Sequence, residues 1–124
     1  MEPTILIVDD EQDLPDMITD FFEDETSFNV RSVNSAEKGL ELLPELRPDI
    51  CMVDIRLPGM DGNTFILQAI TQLPDCKFII HTGSSEYTIP PELREKGITP
   101  KSILFKPVIG LHLYLDKIKE LLAG

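Results

Sequence analysis

The chain has 124 residues, 42% of them hydrophobic, and a formal net charge of −11. That length suits a single domain, the apolar content supports a packed core and argues against disorder, and the acidity disfavours direct nucleic-acid binding. No apolar run approaches the roughly 18 residues of a membrane span, and no basic-then-apolar leader opens the chain, so the expectation is a cytoplasmic protein.

Cys51 and Cys76 are too few for a disulfide framework and lie beside apolar runs, so both read as small buried hydrophobes in a reducing compartment. Ten of the first thirty residues are acidic and the first base is Arg31. Most of these acids read as a solvated helix face. Asp9 and Asp10 differ, because they end an apolar run.

In chain order, Thr4–Val8 is a continuous apolar run, the mark of a strand covered on both faces. Leu14, Met17, Ile18, Phe21 and Phe22 then fall on one helical stripe, with Pro15 tolerated in the first turn. Phe28–Val33 is a more polar strand, suited to a sheet edge. Ser35 can cap a second helix carrying Ala36, Leu40 and Leu43, which Pro44 should end or distort. Ile50–Val53 is a buried strand ending at Asp54, followed by the turn Leu57–Gly62 and a helix carrying Phe65, Ile66, Ala69, Ile70 and Leu73.

Phe78–Ile80 is a fourth strand, ending near Thr82 and Gly83. Pro90 and Pro91 permit only a short helix to about Lys96, with Gly97 as its stop. Ser102–Phe105 is a fifth strand ending at Lys106 and Pro107. A last helix should bury Leu111, Leu115, Ile118 and Leu122, leaving Leu113 off that stripe and exposed. Five strands alternating with five helices imply an α/β fold with an open parallel sheet and helices on both faces. No repeat, low-complexity tract or linker divides the chain.

In such sheets ligands collect outside the carboxyl ends of the strands. Four of the five apolar runs finish there in reactive or charged residues: Asp9 with Asp10, Asp54, Thr82 and Lys106. A single Asp in such a place is usually a cap or turn residue, but all four share one rim. Crowded carboxylates call for a cation, and an oxygen-only set suits a hard one such as Mg2+, with Mn2+ as an alternative. No His/Cys cluster has zinc spacing. With a lysine and a hydroxyl beside the acids, the chemistry indicated is phosphoryl transfer, and an aspartate nucleophile would give an acyl phosphate.

The ordered set ILIVDDE, MVDIRLPGMDG, a strand ending in Thr82, and Lys106-Pro107 resembles the receiver domain of two-component response regulators, over essentially residues 1–124 and with no output domain. The resemblance implies a flavodoxin-like, doubly wound five-stranded sheet of order 2-1-3-4-5 with five helices. It implies Asp54 as phosphoacceptor, Asp10 as a direct Mg2+ ligand, Asp9 as a direct or water-mediated one, and the Arg56 backbone carbonyl as another. It further implies Thr82 as the hydroxyl that moves toward the phosphoryl group, Lys106 as its counter-charge, and a cis peptide between Lys106 and Pro107. The donor would be a sensor histidine kinase or histidine phosphotransfer protein docking near Leu14 and Pro15. Such a chain is a signalling switch that catalyses only its own phosphorylation and dephosphorylation. Its downstream partner is not legible, and homodimerisation through the last strand and helix is left open.

Three features depart from the family pattern. The switch position three residues before the lysine, commonly aromatic, is Ile103; the stretch from Gly97 to Lys106 is long; the fourth helix is short. Arg56 reads either as tuning hydrolysis or as a solvated base. His81 should point to the strand face opposite Thr82, away from the chemistry. The rival readings are weaker. A phosphohydrolase with an aspartate nucleophile would commonly carry a second Asp where Arg56 stands, and would need a cap segment. A phosphorylation-independent scaffold would generally have lost an acid or the lysine. A flavin-type phosphate loop would not be the acidic Val8–Glu11 turn.

Overall fold

The computed structural model describes residues 2–106 and 108–124. Among the described residues five strands alternate with five helices: β1 (Thr4–Val8), α1 (Asp13–Glu25), β2 (Asn29–Val33), α2 (Ala36–Leu46), β3 (Ile50–Asp54), α3 (Gly62–Gln72), β4 (Lys77–Thr82), α4 (Pro91–Glu95), β5 (Ile103–Phe105) and α5 (His112–Ala123), with a 3-10 turn at Pro100–Ser102 before β5. All pairings are parallel and the strand order is β2-β1-β3-β4-β5. This is the flavodoxin-like order expected from the resemblance. The expected cis peptide at Lys106-Pro107 lies outside the described residues.

The burial of each strand follows its place. β3 is buried at every position and β1 from Ile5 onward, as central strands under two helix layers must be. β2 is largely exposed and forms one edge, and the three-residue β5 forms the other. Side chains alternating along the strands divide the core in two. Val8, Val53, Phe78 and Ile80 pack with Leu43, Phe65, Ile66 and Leu93 from α2, α3 and α4. Ile7, Met52 and Ile79 pack on the other face with Ile18, Phe22, Tyr114 and Ile118 from α1 and α5. Cys51 and Cys76 are both free and buried, with their sulfurs 3.8 Å apart.

Local chemistry sets the helix ends. The Ser35 hydroxyl accepts from the Lys38 N–H at 3.1 Å, and the Asp61 carboxylate accepts from the Thr64 N–H at 2.9 Å, so both helices start on side-chain caps. Pro15 is the third residue of α1, where a missing N–H costs nothing because no intrahelical acceptor exists there. α4 opens on Pro91 and stops before Gly97, whose φ is +95°.

Three helix expectations need correction. Pro44 does not end α2, which runs on to Leu46; the proline falls in the last turn, where only one ladder bond is lost. On α1, Met17 is 53% exposed, so the buried stripe narrows to Pro15, Ile18 and Phe22. On α5, Tyr114 and Ile118 are buried whereas Leu122 is 39% exposed. The stripe facing the sheet continues from Ile118 to Leu121 rather than Leu122, and Leu113 is half-buried, not exposed.

α2 ends with Arg47 in the left-handed region, at φ 48° and ψ 61°. A side chain there is strained by about 1–2 kcal/mol, whereas glycine is not. Arg47→Gly is therefore expected to stabilise the chain by roughly 0.5–1 kcal/mol, since glycine gives back part of that gain in backbone entropy. An unchanged or lowered urea midpoint would contradict this.

Candidate functional site: the carboxyl rim of the sheet

The strand register aligns four strand ends. Val8 pairs with Val53, Asp54 with His81, and Thr82 with Phe105. Asp9 and Asp54 therefore emerge level with each other, Thr82 one residue beyond them and Lys106 one residue beyond Thr82, all at the same edge of the sheet.

Each end is held by its own turn. The Asp9 N–H extends the ladder to the Val33 carbonyl at 3.1 Å, and its Oδ1 accepts from the Glu11 N–H at 2.9 Å. That Asx turn bends the chain toward α1. Asp54 Oδ1 accepts from the Arg56 N–H at 3.1 Å, an equivalent turn after β3. The loop then folds back, with the Gly62 N–H donating to the Ile55 carbonyl at 3.0 Å. A Cβ on Gly62 would collide with the Asp54 carbonyl oxygen and lie 2.8 Å from the Ile55 Cα. Only glycine fits there, because both obstacles are backbone. The Thr82 hydroxyl oxygen accepts from the Ser84 N–H at 3.1 Å, and the Thr82 carbonyl accepts from the Lys106 N–H at 2.7 Å.

These turns bring charges together. The Lys106 ammonium lies 3.3 Å from Asp9 Oδ2, 3.5 Å from Asp54 Oδ2 and 3.7 Å from Glu11 Oε1. One carboxylate oxygen from each of Asp9, Glu11 and Asp54 lies within 4.8 Å of the others. Asp9 and Asp54 are buried, while Glu11 is exposed. Burial raises the Asp9 pKa, assisted by the Asp54 charge and opposed by the Glu11 N–H and Lys106. Burial works against the Lys106 ammonium, but Asp9 and Asp54 outweigh it and hold its pKa above the ordinary lysine value.

The expected site residues are thus placed unevenly. Asp9, Asp54 and Lys106 converge. Thr82 is buried on the same rim, engaged with its own loop. Arg56 reaches Asp54 through its N–H, while its side chain is exposed. Asp10 is exposed and stands outside the three-carboxylate group, in which Glu11 takes part instead. Ile103 is half-buried and pairs with Ile80, against the α2–α3 core.

Two contributors were not singled out from the sequence. Glu11 was visible as the third acid of the run, and only the direction of the turn shows that it points inward. Gly62 was read as turn chemistry, and its contact with the end of β3 has no sequence signal of its own. His81 lies opposite the chemistry as expected, but in a buried hydrogen bond. Its Nε2 is 2.7 Å from the Tyr114 hydroxyl, with the rings edge to face.

A parallel sheet presenting buried acids and a lysine at its carboxyl rim defines a class of small α/β domains, and the comparisons narrow it. Residues 5–114 match the family described as the response regulator receiver domain, to which this chain belongs. The DNA-binding response regulator MtrA of Mycolicibacterium smegmatis is 26% identical, over 99% of this chain and 57% of that protein. The uncharacterized transcriptional regulatory protein YesN of Bacillus subtilis is 30% identical, over 96% of this chain and 32% of that protein. The chain therefore spans a third to three-fifths of the length of these relatives. A response regulator receiver domain protein (CheY-like) from Methanospirillum hungatei superposes with a TM-score of 0.87 at 28% identity, covering 99% of this chain and 95% of that one. The chain is accordingly a signalling domain rather than a metabolic enzyme. Among the described residues, no helix is long and apolar enough to cross a membrane.

Two predictions follow from the geometry. Gly62→Ala should lower stability by about 1–3 kcal/mol, because a methyl group cannot be placed without moving the Asp54 backbone; a denaturation curve matching the native one would refute the close approach. The second concerns His81, whose pKa is pushed down to about 3, first by burial and then by Lys106. Unfolded, it would bind a proton near its ordinary pKa of 6.5. The unfolded chain therefore takes up a proton that the folded chain does not. Stability from this group is complete above pH 6.5 and is lost as pH falls toward 3. The slope approaches about 1.4 kcal/mol per pH unit. His81→Gln should lose less stability than the native chain between about pH 7 and pH 5, and equal losses would rule the assignment out.

Proposed function

We propose that the domain is a phosphorylation switch in which Asp54 accepts a phosphoryl group from a phosphohistidine on a sensor histidine kinase or histidine phosphotransfer protein. The observation that carries this reading is the Lys106 ammonium set between Asp9 and Asp54, at 3.3 and 3.5 Å. The Asp54 carboxylate is the nucleophile: its oxygen bonds to phosphorus as the phosphorus–nitrogen bond breaks, and the electron pair leaves on the imidazole nitrogen. The Arg56 N–H on Asp54 Oδ1 fixes one oxygen. Lys106 supplies positive charge beside the other and offsets charge gathered on the phosphoryl oxygens. Thr82 supplies a hydroxyl that can leave Ser84 for a phosphoryl oxygen.

A divalent cation fits these residues. The three carboxylates and one ammonium leave a net charge of −2 when ionised, the donors are all oxygen, and Asp9 is buried at an unfavourable cost. Asp9 and Asp54 would hold Mg2+, with Asp10 or Glu11 and the Arg56 carbonyl completing the protein ligands. When bound, the ion neutralises charge on the transferring phosphoryl group.

Intact mass after incubation with acetyl phosphate tests the reading. The native chain should gain one phosphoryl increment that depends on Mg2+, and Asp54→Asn should gain none. Equal incorporation by the variant would overturn Asp54 as acceptor. If the native chain gains nothing, a beryllofluoride complex would point to a short-lived phosphate, and its absence would favour a phosphorylation-independent scaffold.

A further inference from the structure

β4 carries Thr82 on one face and, one residue earlier, His81 on the other. The two faces lead to different helices. Phe78 and Ile80 join the core made by α2, α3 and α4, whereas Ile79 joins the core made by α1 and α5. His81 meets Tyr114, in the first turn of α5, through the 2.7 Å hydrogen bond. The rings stand 5.1 Å apart at 88°, and both residues are only 2% exposed.

A pair of this kind is not needed for packing. Two apolar side chains would fill the space without desolvating a phenol and an imidazole. What a satisfied buried bond adds is direction: each group must stay within hydrogen-bond range of the other or be left unpartnered, so the two elements move as one. The bond also lies just beneath the charged rim. Lys106 acts electrostatically on His81, and Asp9 on Tyr114. Burial first, and these charges second, keep the imidazole neutral and the phenol protonated, so the bond is a neutral one.

The end of β4 is then held at three points. Ser84 and Lys106 hold Thr82 through its hydroxyl and its carbonyl, and Tyr114 holds His81. At position 103 the side chain is isoleucine, which has no ring to swing between a buried and an exposed state. We propose that His81 and Tyr114 are positioning residues whose hydrogen bond carries displacement of the Thr82 end of β4 into the first turn of α5, so that α5 rather than residue 103 registers the state of Asp54. The proposal rests on the reading of Asp54 as phosphoacceptor.

The test is solution NMR of the full ¹⁵N-labelled chain with and without beryllofluoride and Mg2+, the beryllofluoride standing in for the phosphoryl group. In the native chain the amides of Thr82 and of Leu113–Ile118 should both change. In Tyr114→Phe the response at Thr82 should persist, while the free-to-bound difference in α5 falls to less than half. His81→Phe should do the same. The double variant replaces both partners with apolar rings of similar shape, a change that is close to neutral for folding. It serves if either single variant is unstable. A purely structural role would shift α5 signals equally in the free and bound states and leave their difference intact. That result overturns the proposal. A native response at Thr82 with none in α5 overturns it too, while leaving Asp54 as acceptor. No native response at either place removes the Asp54 reading and the coupling together.

Discussion

The Lys106 ammonium stands at the end of a three-residue edge strand, yet it neutralises carboxylates from the ends of β1 and β3, three and two strands away in the sheet. Buried carboxylates cannot remain ionised without such a partner. The contact therefore constrains much of the architecture. The strands must end at the same edge of the sheet, β1 must lie beside β3, and the residue that follows β5 must lie within reach of the rim. The Lys106 N–H on the Thr82 carbonyl, at 2.7 Å, fixes the backbone from which the side chain reaches across. Residues 9 and 106, at opposite ends of the chain, are thus tied by one charge.

The loops serve the same constraint. Gly62 lets the start of α3 lie against the Asp54 carbonyl, closing the β3–α3 loop tightly enough that Asp54 stays buried. Glu37 of α2 accepts from the Met60 N–H at 3.2 Å, anchoring the same loop from the other side. Gly59, at φ +75°, allows that approach, because a Cβ there would meet the Glu37 carboxylate at 2.8 Å. The turn after β3 is therefore positioned by two glycines and one distant acid.

Much of this was legible in the sequence, because it depends on local pattern. Continuous apolar runs marked β1 and β3, and a reactive residue at the end of each run marked the rim. Ser35 announced its helix. What was not legible depends on direction rather than type. Asp10 and Glu11 both carry a carboxylate, and the Asx turn made by Asp9 decides which one faces Lys106. Leu121 and Leu122 are equally apolar, and the phase of α5 set by Tyr114 and Ile118 decides which is covered. Tyr114 offered a weak signal because a phenol in an apolar stripe needs a partner, and that partner lies 33 residues earlier. Pro44 misled because proline stops a helix only when further turns would have followed.

Two buried polar assemblies meet at the end of β4, and they differ in a way that bears on their roles. The rim is under-neutralised: one ammonium faces three carboxylates, and burial raises the pKa of Asp9. An assembly left short of positive charge is completed by binding something positive, which suits it to a cation. The His81–Tyr114 pair is neutral and satisfied within itself. It has nothing to gain from a ligand, and its bond serves only to fix one element against another. A charged rim and a neutral pair can share one strand because the pleat sends their side chains to opposite faces. On the proposed reading the change would be made at one face of β4, while the geometry that would transmit it is held on the other.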